Sequence, residues 1–159
     1  MSRLDSFIRR MSAQRDCLNH VAGLLADVEG PVMELGLGNG RTYDHLRERM
    51  PGRRVVAFDR KFAAHLPTAP APEDLLLGEI AETAQAFVGI GAALVHADIG
   101  TGYDEKDALT LRWLPQLVAG LLRPGGIAAS GLPLDHDGLE RMPVPAAVPQ
   151  DRYFLYRRK

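Results

Sequence analysis

Three glycines at alternate positions, Gly36, Gly38 and Gly40, follow the short apolar run Val32 to Leu35, and Glu34 stands two residues ahead of the first of them. A turn built this way lets backbone amides and the start of the next helix approach a ligand closely, because no Cβ atoms intervene. Two ligand classes use that geometry. One is the dinucleotides, whose pyrophosphate docks at the helix N-terminus; the other is S-adenosyl-L-methionine (SAM), whose methionine part crosses the turn. The dinucleotide fingerprint wants glycine at 36, 38 and 41, but position 41 is Arg and the third glycine is at 40. A carboxylate at 34 would repel a pyrophosphate and attract the α-ammonium of an amino acid. Spacing and charge together favour SAM, with the amides of Gly36, Leu37, Gly38, Asn39 and Gly40 and the Glu34 carboxylate as its contacts.

Asp59 lies nineteen residues beyond Gly40, at the end of a second apolar run, Arg54 to Phe58. There a carboxylate can accept two hydrogen bonds from a ribose diol, which SAM and NAD share. Arg60 can lay its guanidinium or its stem over an adenine. Asp98 follows a fourth strand-like segment, Ala92 to Ala97, and can face the methionine part of a cofactor or a substrate. His96, which titrates near neutral pH, is a candidate general base, and Tyr103 a candidate lining residue. For each of these three a bland reading competes: a capped loop, a packed histidine, a surface tyrosine. Arg10, Gln14 and Arg15 fall on the polar side of the first helix, where a solvated face is simpler than a lid. Trp113 reads as packing, and Cys17 as a small core residue.

These residues need a scaffold, and the periodicities supply one. Leu4, Phe7, Ile8, Met11, Leu18, Val21, Ala22 and Leu25 recur at three- and four-residue steps, predicting an amphipathic helix from Ser2 to about Asp27 with Ser2 and Asp5 as its capping box. Strands are expected at 32–35, 54–58, 74–77, 92–97 and 127–132, alternating with helices near 41–50, 81–88 and 104–122, the last kinked at Pro115. Alternation of this kind predicts a doubly wound α/β fold with a mostly parallel sheet, whose ligands bind at the carboxyl ends of the strands. The special residues cluster there: 36–40, Asp59, Gly78 to Ile80, and 98–102.

The chain has 159 residues, 46% of them hydrophobic and 25% charged, with a formal net charge of −1. That length suits one domain spanning 1–159. The charge gives no footprint for nucleic acid, and no apolar run is long enough to span a bilayer. One cysteine excludes an internal disulfide and a thiolate-rich zinc site, so no metal is expected. The N-terminus lacks the apolar stretch of a signal peptide, and the expected location is cytoplasmic.

Glu34 to Gly40, with Asp59, resembles the first motif and the ribose acid of the class I SAM-dependent methyltransferases. The resemblance spans about Val32 to Leu132 and includes Leu121-Leu122-Arg123-Pro124-Gly125-Gly126, similar to that family's turn before strand five. It implies a Rossmann-like fold and methyl transfer with S-adenosyl-L-homocysteine as product. It also implies that Gly78-Glu79-Ile80 reads the adenine, Glu79 accepting from the exocyclic amino group and the Ile80 backbone lying near the ring. More narrowly, the chain resembles small bacterial SAM methyltransferases of unassigned substrate. The family usually ends in two further strands, whereas here only 152–157 is an obvious strand, so a sheet shortened at the C-terminus is expected. The expected chemistry is direct displacement onto an oxygen or nitrogen of a small-molecule acceptor, with homo-oligomerisation left open. A SAM-binding sensor without catalysis is the main alternative, and Arg41 and Glu34 disfavour an NAD-linked oxidoreductase.

Overall fold

A computed structural model of the chain describes residues 1–159. Helix α1 (Arg3–Leu24) starts on the expected capping box, with the Ser2 hydroxyl accepting from the Asp5 amide at 3.0 Å and the Asp5 carboxylate accepting from the Ser2 amide at 3.1 Å. Then come β1 (Val32–Leu35), α2 (Arg41–Arg49), β2 (Val55–Asp59), β3 (Leu75–Leu77), α3 (Ile80–Thr83) and β4 (Ala92–Ala97). The remainder is α4 (Asp104–Leu111), α5 (Leu114–Leu121), β5 (Leu122–Ser130), β6 (Leu139–Met142) and β7 (Phe154–Arg158). No helix is long and apolar enough to cross a membrane.

The strands form one seven-stranded sheet in the order β3-β2-β1-β4-β5-β7-β6. The first five pair in parallel, while β7 runs antiparallel between β5 and β6. This is the doubly wound, mostly parallel α/β sheet that the alternating pattern implied. The expectation of a shortened sheet is corrected: Leu139–Met142 adds an edge strand that Leu-Glu-Arg-Met does not announce, since it holds no β-branched or aromatic residue. Its pairing with β7, not its own propensity, makes it a strand.

Three local boundaries also moved. The break in the 104–122 helix falls at Arg112 and Trp113, and Pro115 sits in the first turn of α5, where a missing N–H costs no hydrogen bond. The 81–88 helix shrinks to the four residues of α3 and a 3₁₀ turn. Strand β5 begins early, at Leu122, and absorbs the expected turn through a register shift opposite Ala92 and Leu94.

Strand side chains alternate between two cores. Met33, Leu35, Val56, Phe58 and Val95 pack against α5 on one face. Val32, Val55, Ala57 and Leu94 pack against α1 and α2 on the other. On α1 only the stripe from Ala13 to Val21 is sealed; Leu4, Phe7 and Ile8, which share its periodicity, remain exposed. Glu34 and His96 belong by alternation to the α1 and α2 face, opposite each other in the β1–β4 register. Two polar residues are thereby placed inside an apolar layer.

Candidate active site

A cavity of about 760 Å³, well within the range of small-ligand sites, opens at the carboxyl ends of β1, β2 and β4. Its floor is the glycine turn. Gly36 and Gly38 have φ of 93° and 54°, in the left-handed region that side chains avoid. A Cβ at Gly36 would come within 2.5 Å of Ile99, while one at Gly38 would meet nothing within 4 Å. The turn is therefore clamped against the β4 loop at its first glycine and open to the cavity at its second.

Of the residues singled out from the sequence, Gly36, Leu37, Gly38, Asn39, Asp59, Arg60, Glu79, Ile80 and Asp98 all line this cavity. Gly40, the left-handed residue before α2, sits just behind it. Asp59 braces the turn: Oδ2 accepts from the Gly38 amide and Oδ1 from the Arg60 amide, both at 2.7 Å. Each oxygen keeps a further lone pair for a ligand hydroxyl. The Arg60 guanidinium is not spread over an open adenine site; it pairs with Glu79 at 3.1 Å, both side chains largely exposed.

Three residues lie elsewhere than expected. Glu34 is fully buried beneath the turn and does not line the cavity. Its Oε1 accepts from Thr42 Oγ1 and meets His96 Nδ1, each at 2.8 Å, while Oε2 has no partner. His96 is likewise fully buried, so of the two readings at 96 the packed histidine holds, and the candidate general base is corrected because the ring does not line the cavity. Both of its ring nitrogens are engaged, Nδ1 with Glu34 and Nε2 in a short contact with the Tyr153 hydroxyl. Burial pulls the His96 pKa down, but the Glu34 charge and hydrogen bond, with the field of Asp98, outweigh it and raise the net value. Tyr103 is two-thirds exposed and outside the cavity.

The same polar chain contains residues whose role the sequence did not disclose. The Tyr153 phenol is sealed under the sheet, and burial, reinforced by Asp98, pushes its pKa well up, keeping it protonated. Gln14, expected on a solvated helix face, is buried; its Nε2 donates to Asp98 Oδ2 at 2.8 Å and lies 3.4 Å from Tyr153. A signal for it existed, since 14, 17, 18, 21 and 25 form one helical stripe whose other members are apolar. Arg15, one position on, is the solvated one and pairs with Asp16. A hydrogen-bonded chain thus runs from Glu34 through His96, Tyr153 and Gln14 to Asp98 at the cavity wall. Asp98 Oδ1 takes no hydrogen bond from the protein and stays available. Trp113 packs on the core and also lines the cavity, with Thr42, Lys106, Leu109 and Thr110. Cys17 is sealed in α1, and burial, with the Asp16 charge, pushes its thiol up to about 11, so it is no nucleophile.

Comparison with known proteins agrees with this geometry. A family model described as S-adenosyl-L-methionine methyltransferase matches residues 1–158. A solved S-adenosyl-L-methionine methyl transferase from Silicibacter pomeroyi DSS-3 is 42% identical, covers 99% of both chains and superposes with a TM-score of 0.92. A cofactor-bound protein from MTB shares the fold at 18% identity, with a TM-score of 0.62 over 97% of this chain and 88% of that one. So does a 16S rRNA adenine methyltransferase from Catenulisporales acidiphilia, at 16% identity and a TM-score of 0.56 over 89% and 90% of the two chains. No functionally curated protein matches the sequence.

Proposed function

Because the chain belongs to the S-adenosyl-L-methionine methyltransferase family that matches it over residues 1–158, we propose that this SAM-dependent enzyme methylates an oxygen or nitrogen of a small molecule. SAM, when bound, supplies an electrophilic methyl group on a sulfonium, and the residues present suit it. The open cradle at Gly38 accommodates its methionine part, and Asp59 offers two oxygens to the ribose hydroxyls. Glu79 and Ile80 stand at the end of the cavity where the adenine belongs, Glu79 having to share its carboxylate with Arg60.

The observation that carries the small-molecule reading is that α1 and α4 wall the far end of the same cavity, beyond the β4 carboxyl end. One half-open cavity would then take cofactor and acceptor side by side, with alignment as the main contribution of the protein to the rate. Asp98, fixed through Oδ2 by Gln14, holds Oδ1 ready to accept a proton from an acceptor hydroxyl or amine. His96 and Glu34 support that placement from beneath and touch no substrate.

Calorimetry with SAM, S-adenosylhomocysteine and NAD, followed by a methyl-release assay on a metabolite panel and on structured RNA, tests the reading. Binding of SAM and S-adenosylhomocysteine but not NAD, with turnover on small molecules alone, is expected. Turnover confined to RNA would overturn the choice of acceptor.

A further inference from the structure

Helix α4 buries none of its eight residues, whereas α1, α2, α3 and α5 each seal side chains into a core. Its inward side is nevertheless patterned. Lys106, Leu109 and Thr110, continued by Trp113 in the turn that follows, recur at helical spacing and line the cavity. Lys106 and Leu109 stay exposed while Trp113 packs partly on the core, so this face borders the cavity as a wall, and its chemistry describes what can bind there. This face carries one cation, one hydroxyl and two large apolar groups.

The cation has no protein counterion. Lys106 forms no ion pair and rests over the Tyr103 ring at 5.1 Å. Arg10 from α1 and Arg41 from α2, which also line the cavity, are equally unpaired and both approach the exposed Phe7 ring, at 5.9 Å and 6.0 Å. Of the cavity carboxylates only Glu79 is paired with a cation, Arg60; Asp59 and Asp98 bond neutral amides and keep their charge, so the lining residues carry four cations against three carboxylates. The cofactor makes the balance more positive, since its sulfonium and ammonium outnumber its single carboxylate. That carboxylate answers one cation and leaves the others without a partner. With the cofactor in place the cavity lining carries a net positive charge, and Lys106 is its cation on the α4 side.

Building on the small-molecule reading, we propose that the methyl acceptor bears an oxyanion, a carboxylate or a phosphate monoester, attached to a flat apolar body. The oxyanion pairs with Lys106 and the body lies against Leu109 and Trp113. Lysine suits either oxyanion because its ammonium acts as a point charge. A nucleic acid fits less well, because the chain carries a formal net charge of −1 and the unpaired cations line a cavity.

Trp113 is the sole tryptophan, so its emission reports this wall directly. The experiment titrates salicylate, phenyl phosphate and neutral salicylamide into the protein saturated with S-adenosylhomocysteine, with a short RNA as a fourth ligand. At least one anion is expected to shift the emission saturably, with salicylamide about tenfold weaker, the size of one charged contact. Lys106→Met is expected to weaken the anion by about the same factor and Lys106→Arg to restore most of it, with S-adenosylhomocysteine affinity held within about twofold. Equal binding of anion and amide, no effect of Lys106→Met, or silence from all three small molecules would overturn the proposal while leaving the cofactor site standing. A signal from RNA alone would overturn it together with the small-molecule reading beneath it.

Discussion

Glu34, next to last in β1, and Asp59, last in β2, stand on neighbouring parallel strands beside the glycine turn, yet the fold treats them differently. Asp59 reaches the cavity and braces the turn through two amides. Glu34 is sealed below it, tied to Thr42 and His96, with one oxygen left without a partner. A carboxylate beside a binding turn can thus serve the ligand or hold the scaffold, and burial decides between the two. An exposed carboxylate keeps its water and can exchange it for ligand hydroxyls. A buried one has lost its water and depends on its protein partners.

The contrast is broken most directly at Glu34. Glu34→Ala leaves His96 and Thr42 without their acceptor inside the core, and a loss of about 3–5 kcal/mol in unfolding free energy is expected by urea denaturation. A change below 1 kcal/mol, the range of exposed pairs, would show that the buried chain is not structural. Asp59→Ala is expected to act mainly on the other quantity, weakening SAM binding by about 1–3 kcal/mol in calorimetry, with a loss of stability well below that of Glu34→Ala. Comparable losses of stability in both variants would erase the distinction.

Proton linkage sharpens it further. The His96 pKa is raised in the folded state above its ordinary 6.5. The stability this pairing contributes is therefore fully present below pH 6.5 and is lost as pH rises through the higher folded value. The wild type is expected to lose stability across that window relative to His96→Gln, whose profile should stay flat there; parallel profiles would remove the imidazolium from the account. The smallest effect is expected on the exposed side. Arg60→Ala breaks only the solvent-facing pair with Glu79 and should cost less than about 1 kcal/mol of stability.

Much of the site was legible because it depends on local chemistry. Alternating glycines after an apolar run, and an acid at the end of the next strand, carry their meaning within a few residues, and five of the positions they marked, Gly36, Leu37, Gly38, Asn39 and Asp59, line one cavity. Gln14, Tyr153 and the wall at Lys106 to Trp113 were not legible as a site. Gln14 and Tyr153 lie 139 residues apart and meet only because β7 inserts beside β5 under α1. The strand at Leu139–Met142 escaped for the same reason, being held by its neighbour and not by its own residues.

The sequence by itself determined the alternation of strands and helices, the glycine turn, and the class of cofactor that the glycine spacing admits, because each rests on contacts between residues close in the chain; the charge argument from Glu34 did not hold, since that carboxylate is buried away from the cavity. Tertiary structure alone decided which of those polar groups face the cavity. Burial and hydrogen-bond partnership are properties of packing across the sheet, where Glu34 and His96 lie side by side in register and Asp59 ends in the open cavity.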